Sequence, residues 1–270
     1  MRSAARAALR LLRGAPPAPG SHFTAPAWRA IEAGPLAGLE MFVHRGHGRS
    51  LSDRIVAGTY EPEVMNAIAA AAARGGCLYD IGAHLGYVAC AWVRLGGSAT
   101  EAFEPVESNA RIVEETAVRN GLRGIRVHRL ALADSDGTGR MRVNDTNLSV
   151  SSMAFLEAEG GVVERMNSPE YAAARAIAVP VRSLDRFVFE HQLPPPAAMK
   201  VDVEGAEGHV IRGAVETLAR HGPVIICELH NVSSAVDVAA QLTSLGYESE
   251  LLLRQKQTIC NYLWRPRATT

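Results

Sequence analysis

The stretch Leu78-Tyr79-Asp80-Ile81-Gly82-Ala83-His84-Leu85-Gly86 decides the fold of this 270-residue chain. It is typical of a short apolar strand, an acidic turn with two glycines, and a helix that begins at about Gly86. In an α/β sheet, the carboxyl end of such a strand opens into a ligand crevice. Gly82 permits a tight turn, and Gly86 permits a ligand to approach the unpaired N–H groups of the helix start. Asp80 adds a carboxylate at the same crevice.

The turn favours a nucleoside over a dinucleotide. A dinucleotide fingerprint has the form Gly-x-Gly-x-x-Gly, but counting from Gly82 this chain has His84 and Tyr87 at the later two glycine positions. These side chains hinder a pyrophosphate, whereas S-adenosylmethionine carries no phosphate and needs less space. Glu104 follows the next apolar strand, Ala99–Phe103, at the position where an acid holds ribose hydroxyls. An ordinary strand–helix turn with a solvated acid is the alternative interpretation.

The composition is that of a globular protein, with 47% hydrophobic and 21% charged residues. The formal net charge is zero, which argues against bulk binding of nucleic acid. No apolar run reaches the ~18 residues that a membrane span needs. The four cysteines include no Cys-x-x-Cys pair, so a structural zinc site is not expected. Cys77, Cys90 and Cys227 lie in apolar patterns typical of a core, and a reducing compartment is predicted.

The first 37 residues are predicted to be a basic, poorly ordered tail, because they are rich in arginine and contain no acid before Glu32. An organelle transit peptide is the alternative interpretation, and the cytoplasm is the predicted compartment without it. One domain is predicted over residues 38–270.

From residue 63 onward, helical and strand patterns alternate, which predicts an α/β sheet with helices on both faces. Residues 136–179 break the alternation and are predicted to be an insertion, either a lid over the site or a plain surface loop. The predicted helices are 63–74, 86–95, 107–119, 185–190, 207–220 and 235–245, and the predicted strands are 38–44, 78–81, 99–103, 125–130, 179–184, 198–203 and 223–229, followed by an antiparallel pair at 248–253 and 258–264.

Acidic residues gather where these strands end. Because parallel strands end at one edge of a sheet, Asp202 and Glu204 are expected near Glu228 and His230 if the two strands are neighbours. Acids at the end of a buried strand cost stability unless they are paired. They therefore indicate a functional site, with a salt-bridged strand end involving Lys200 as the structural alternative.

Four stretches together resemble the FkbM-type methyltransferase family. They are 80–87, Phe103-Glu104-Pro105, 200–207 and Glu228-Leu229-His230, with support from 58–62, 149–152 and 181–185. The resemblance covers roughly 38–264, and its specific part is the Lys-x-Asp-x-Glu-Gly-x-Glu motif at 200–207. It implies the class I methyltransferase, Rossmann-like fold with seven strands, mostly parallel, of which the last is antiparallel. It also implies S-adenosylmethionine as cofactor and O-methylation of a hydroxyl on a sugar, polyketide or other small metabolite.

The resemblance also assigns roles to residues. Asp80, Gly82 and Gly86, with His84 in the same turn, are expected along the methionine part of the cofactor. His84 stands where the family usually has Asn. Glu104 is expected to hold the ribose, and the acceptor hydroxyl is expected among the acidic strand ends. The remaining assignments are Leu132 and Asp134 beside adenine, and Asp202, Glu204, Glu228 and His230 beside the acceptor.

An alcohol is a poor nucleophile at neutral pH, so two catalytic routes are open. In one, His230 accepts the proton while Glu228 or Asp202 orients its ring. In the other, Asp202, Glu204 and Glu228 hold a divalent metal that acidifies the hydroxyl. The metal-free route is preferred, because the resemblance does not require a metal. An NAD(P)-linked oxidoreductase and a non-catalytic nucleoside-binding module on the same fold are the rival functions. The acceptor and the oligomeric state stay open.

Overall fold

The computed structural model describes residues 26–43, 50–143, 154–156, 175–255 and 259–267. The strands are β1 (Ala27–Ala30), β2 (Glu40–Val43), β3 (Cys77–Ile81), β4 (Ala99–Phe103), β5 (Ile125–His128), β6 (Ala131–Ala133), β7 (Gly137–Val143), β8 (Ala154–Leu156), β9 (Arg175–Ser183), β10 (Pro196–Val201), β11 (Val224–Leu229), β12 (Tyr247–Arg254) and β13 (Cys260–Pro266). The helices are α1 (Leu51–Val56), α2 (Pro62–Ala72), α3 (Tyr87–Arg94), α4 (Glu107–Arg119), α5 (Leu184–His191), α6 (Glu207–Arg212), α7 (Val215–His221) and α8 (Val232–Ser244). None of these helices combines the length and hydropathy that a membrane crossing requires.

A seven-stranded sheet in the order β12-β13-β11-β10-β3-β4-β5 forms the centre of the molecule. Strands β11, β10, β3, β4 and β5 run parallel, and β13 is antiparallel to both of its neighbours. The predicted α/β sheet with an antiparallel last strand is therefore confirmed. The chain runs outward from β3 through β4 to β5 and later returns to the other side of β3 as β10. This reversal is the switch point at which open α/β sheets bind ligands.

Strand β3 is central because it is apolar on both faces. Tyr79 and Ile81 pack into one core cluster, and Leu78 packs on the opposite face with Val64 and Ile68 of α2. All five residues of β3 are buried. A parallel strand covered on both faces needs this nearly continuous apolar sequence, and it fixes the position of the turn that follows Ile81.

The segment predicted to be an insertion begins and ends in regular structure. Strands β7 and β9 pair antiparallel from Gly137↔Val181 to Val143↔Arg175, within a four-stranded sheet of order β6-β9-β7-β8. Strand β9 thus begins before the predicted position 179. Val179 and Val181 of β9 are buried with Met141 and Val143 of β7. The sequence of this segment has no repeating pattern that would predict this burial. The rest of the predicted insertion or lid, residues 144–153 and 157–174, lies outside the described residues.

The domain begins earlier than predicted. Strand β1 pairs with β2, and Ile31 and Leu36 are buried with Tyr87 and Ile112 in one cluster. Residues 26–37 therefore belong to the packed structure, and their prediction as tail is wrong, because apolar contacts with α3 and α4 hold them. Residues 1–25 lie outside the described part of the chain.

The helix predicted over 207–220 is divided into α6 and α7 at Gly213. A Cβ atom at Gly213 would lie 2.0 Å from the carbonyl oxygen of Ala133, so only glycine permits this approach to β6. The Asp185 carboxylate accepts hydrogen bonds from the backbone N–H groups of Glu216 and Thr217 at 2.9 and 2.8 Å. A side chain from α5 thus caps α7, which local sequence cannot reveal.

Candidate active site

A cavity of about 310 Å³ opens at the carboxyl ends of β4, β3, β10 and β11. Its volume is that of a small-ligand site. The described residues that line it include Gly82, His84, Glu104, Leu132 and the acidic ends of β10 and β11. Three strand spacings, roughly 14 Å, separate β4 from β11 along the sheet. The cavity therefore spans from the predicted nucleoside end to the predicted acceptor end.

Glu104 is fixed at the first end by backbone hydrogen bonds. Its Oε2 accepts from the N–H of His84 at 2.8 Å, and its Oε1 accepts from the N–H of Val106 at 2.9 Å. Burial raises its pKa to about 7, against the lowering effect of these hydrogen bonds. The side chain of Asn109 makes a third hydrogen bond to this carboxylate. Because a carboxylate has about four lone-pair positions, Glu104 can still accept a hydrogen bond from a ligand hydroxyl.

The glycine turn is shaped by contacts between elements. A Cβ atom at Gly82 would lie 1.9 Å from the carbonyl oxygen of Asp202, and one at Gly86 would lie 2.9 Å from Cγ1 of Val113. Gly86 thus allows α3 to pack on α4. His84 has a φ of +50°, a conformation in which Asn and His are both enriched. Because its backbone N–H makes the contact with Glu104, exchange of Asn for His leaves that contact in place.

Three of the residues predicted to bind cofactor do not line the cavity. Asp80 is buried within β3 in register with Lys200, and burial raises its pKa to about 7. Gly86 packs against Val113 of α4 and does not face the cavity. Asp134 accepts one hydrogen bond from Arg212 at 2.9 Å and a second from His209 Nδ1 at 3.0 Å. Slight burial raises the pKa of Asp134, but these two hydrogen bonds outweigh it and lower the pKa.

The four residues predicted around the acceptor come together at the other end. The Nε2 atom of His230 lies 3.7 Å from Asp202 Oδ1, 3.5 Å from Glu204 Oε2 and 3.5 Å from Glu228 Oε1. Strands β10 and β11 are neighbours, as predicted, and this pairing brings the residues together. We call these four residues the His230 cluster.

Glu207 is the principal residue that the sequence analysis missed. It is fully buried, and its Oε1 lies 2.8 Å from His230 Nδ1. The hydroxyl of Ser234 donates to its other oxygen at 2.5 Å, and the N–H of Gly205 donates to Oε1 at 2.8 Å. The orientation of the ring, predicted for Glu228 or Asp202, therefore belongs to Glu207. Its place at the end of the Lys-x-Asp-x-Glu-Gly-x-Glu motif was the available signal.

The pKa values in the His230 cluster reflect competition between burial and charge. Burial lowers the pKa of His230, but the hydrogen bond to Glu207 and the charges of Asp202, Glu207 and Glu204 outweigh it and raise the pKa to about 9. Burial and the charge of Asp202 raise the pKa of Glu228 to about 7. The surrounding carboxylates thus favour positive charge at the His230 ring.

Two further cavity residues come from the turn before α2. Glu61 is buried with a φ of +42°, and its Oε1 accepts from Gln255 Nε2 at 2.5 Å. Burial raises the pKa of Glu61, and burial with the nearby charge of Glu61 raises that of Tyr60. Among the described residues, Glu61, His84, Gln192 and Glu204 are the non-glycines with positive φ, and all but Gln192 line the cavity. Such strained conformations cluster at functional sites.

The sheet order, with antiparallel β13 between β11 and β12, and the cavity at the switch point are those of the class I methyltransferase fold. The chain belongs to the FkbM methyltransferase family, because the model of the methyltransferase FkbM domain matches residues 80–249. The match thus assigns a methyltransferase domain to the part of the chain that holds the cavity. No curated protein sequence matches the chain.

Several solved structures are similar to this chain. The methyltransferase FkbM of Methylobacillus flagellatus is 17% identical with a TM-score of 0.49, over 70% of this chain and 43% of its own. Thus this chain spans less than half of that protein's length. Precorrin-6y C5,15-methyltransferase of Geobacter metallireducens is 11% identical, with a TM-score of 0.46, over 76% of this chain and 88% of its own. The magnesium protoporphyrin IX methyltransferase of Synechocystis, solved with bound S-adenosylmethionine, is 11% identical, with a TM-score of 0.46, over 83% of this chain and 86% of its own.

Proposed function

We propose that this protein transfers a methyl group from S-adenosylmethionine to a hydroxyl of a sugar, polyketide or other small metabolite. The observation that carries the proposal is that one cavity is lined by both Glu104 and the His230 cluster. A buried acid that can accept from a ligand hydroxyl and a group of acids around an imidazole thus face the same space. A methyl donor and a hydroxylated acceptor could meet there.

The residues at the first end fit the cofactor. Glu104 would accept a hydrogen bond from a ribose hydroxyl, and the apolar side chains of Leu132 and Phe103, both at the cavity wall, would contact the adenine. The backbone of the turn from Gly82 to His84 would lie along the methionine part. When bound, S-adenosylmethionine supplies a sulfonium methyl that bonds to the acceptor oxygen as its C–S bond breaks, leaving the electron pair on sulfur.

At the other end, the chain would position the acceptor and remove its proton. An in-line displacement requires the acceptor oxygen to be held on the side of the methyl opposite sulfur. Asp202, Glu204 and Glu228 can accept hydrogen bonds from an acceptor's hydroxyls, which fits a polyhydroxylated molecule. The proton of the reacting hydroxyl would leave toward an anionic oxygen of the His230 cluster.

Transfer of isotope from methyl-labelled S-adenosylmethionine tests the proposal. The full chain is incubated with a panel of sugars, polyols and polyketide alcohols, and products are analysed by mass spectrometry and NMR. We expect a new O–CH₃ group on at least one acceptor. A methyl group found on nitrogen or carbon instead would overturn the O-methyl assignment. Tight binding of S-adenosylhomocysteine in calorimetry without transfer to any acceptor would favour a nucleoside-binding module, and saturation by NADH alone would favour an oxidoreductase.

A further inference from the structure

The His230 cluster gathers three carboxylates around one ring nitrogen. The Nδ1 atom of His230 lies 2.8 Å from the Glu207 carboxylate, which accepts only, so Nδ1 carries the ring proton. In the neutral ring, Nε2 then has a lone pair. That lone pair faces oxygens of Asp202, Glu204 and Glu228 at 3.5–3.7 Å. An acceptor surrounded by three acceptors requires a positive charge between them, which either a second ring proton or a cation would supply.

The spacing of these atoms fits a metal ion better than a shared proton. Hydrogen bonds to nitrogen have lengths of about 2.7–3.2 Å, and the three contacts to Nε2 are longer. Ligand atoms around one tetrahedral ion lie roughly 3.4–3.6 Å apart when the metal bonds are about 2.1–2.2 Å. The two observed distances of 3.5 Å match that edge, and the third, 3.7 Å, is slightly longer. The candidate ligand atoms of Asp202, Glu228 and His230 all lie within 4.8 Å of one another.

Each of these three residues is held by its other polar atom, which is a second and independent observation. Asp202 Oδ2 accepts from Lys200 Nζ at 3.1 Å, which leaves Oδ1 toward His230. Glu228 Oε2 accepts from Asn261 Nδ2 at 3.3 Å, which leaves Oε1 toward His230. The third residue, His230, is held by the contact of its Nδ1 with Glu207, which leaves Nε2 toward the carboxylates. Metal ligands in proteins are oriented in this way, most characteristically by a carboxylate behind the histidine.

We propose that Asp202, Glu228 and His230 form a divalent cation site at the acceptor end of the cavity, with Glu204 beside it. The ligand set of two carboxylates and one imidazole suits a first-row divalent cation, for which Mn²⁺ serves as a spectroscopic probe. The role of the ion, which rests on the proposed function, is to bind the acceptor oxygen as a further ligand and so lower the pKa of the acceptor hydroxyl. The hydroxyl proton then passes to the Glu204 carboxylate. This reverses the sequence-based preference for a metal-free route.

Titration of Mn²⁺ into the chelator-treated full chain tests the site without any methyl transfer. Electron paramagnetic resonance of free Mn²⁺ and calorimetry should report one ion per chain. Glu228→Gln and His230→Gln should each weaken Mn²⁺ binding by about tenfold to a hundredfold or more, and Glu207→Gln by about tenfold to a hundredfold through the loss of orientation. Glu250→Gln, an exposed carboxylate paired with Arg265 on the far strands, is the matched control and should bind Mn²⁺ as the wild type does. Thermal unfolding confirms that each variant is folded.

Two outcomes would overturn the site. One is a folded wild-type protein that takes up no Mn²⁺ at millimolar concentration, which would assign the positive charge to a proton on His230. The other is unchanged Mn²⁺ affinity in both ligand variants. Binding of S-adenosylhomocysteine is measured in parallel, with the cation absent. Its failure would count against the proposed function and leave the metal result standing, whereas metal failure with intact cofactor binding would count against the site alone.

Discussion

At the scale of single residues, Glu104 determines how the nucleoside end of the cavity recognises a ligand. We expect Glu104→Gln to weaken the affinity for S-adenosylhomocysteine by about tenfold to a hundredfold, since hydrogen bonds to a charged group contribute roughly 1.5–3 kcal/mol. Isothermal calorimetry measures the change. Glu107→Gln is the control, because that neighbouring carboxylate is exposed and bound to Arg111 and Arg129. Equal affinities in Glu104→Gln and wild type would remove Glu104 from the cofactor site.

The charge of Glu104 should also make cofactor affinity depend on pH. Burial raises its pKa from the ordinary 4.5 to about 7, while hydroxyl donors favour the ionised form. We therefore expect S-adenosylhomocysteine to bind the wild type more tightly as the pH rises from 6 to 8, with a smaller change in Glu104→Gln. Asp80 and His84 are the titratable groups that face Glu104 from the adjacent strand and turn. They are present in both proteins, so the difference between the two curves isolates Glu104.

The same pKa predicts how Glu104 affects stability. Because its folded pKa lies above its unfolded pKa, the folded state binds the extra proton between pH 4.5 and about 7. Stability contributed by Glu104 is therefore fully present below that window and is lost as the pH rises through it. The free energy of unfolding of wild type minus that of Glu104→Gln should fall over this range in urea titrations. A constant difference would show that Glu104 titrates alike in both states.

Some of the site residues could be predicted from their position at the end of a strand, and others could not. Asp202, Glu204, Glu228 and His230 could be predicted because acids follow apolar strands, and neighbouring parallel strands bring them together. The strand-end rule does not identify Glu207 and Glu61, since their roles depend on where α6 and the turn before α2 lie against β11. Asp134 follows the same strand-end rule, yet it is bound by Arg212 of α6. A rule that considers each strand alone cannot predict ion pairs between different elements, such as this one.

At the scale of elements, Gly82 sets how closely the ends of β3 and β10 approach. We expect Gly82→Ala to lower the free energy of unfolding by about 1–3 kcal/mol more than Gly246→Ala, because overpacking adds to backbone strain. The two glycines have φ of +84° and +81°, but a Cβ atom meets nothing within 4 Å at Gly246. The comparison by chemical denaturation thus separates contact from conformation. Equal losses of stability in the two variants would mean that the backbone of Asp202 moves away from the added Cβ atom at no cost in free energy.

Elements with a strong local pattern could be predicted, and those held by distant partners could not. The apolar strands β3, β4, β10 and β11 and the helix α4 agree closely with prediction. The predicted 207–220 helix breaks because Gly213 packs on Ala133 and Asp185 caps α7 from another element. Strand β1 lies in a stretch that composition alone assigned to the tail, since only its pairing with β2 and the burial of the following Ile31 and Leu36 against α3 and α4 reveal it.

At the scale of the whole molecule, the four cysteines report on core integrity. Cys77, Cys90 and Cys227 are buried free thiols, as predicted for core residues, and Cys260 is partly exposed. Burial raises the pKa of Cys77 and Cys90 to about 12 and that of Cys227 well above its ordinary value. We expect a disulfide reagent at neutral pH to modify one thiol quickly in the native protein and none in Cys260→Ser. In denaturant, all four should react. More than one fast native thiol would indicate an opened core.

The position of β13 has a consequence for how the chain is made. Strand β12 pairs only with β13 in the described sheet, and β13 lies between β12 and β11 although it follows both in sequence. A ribosome therefore releases β12 before the strand that will join it to the sheet exists. During that interval, β11 also exposes an unpaired edge to neighbouring nascent chains. Translation speed over the codons for residues 247–266 should thus influence the yield of native protein more than the same change in the codons for β4.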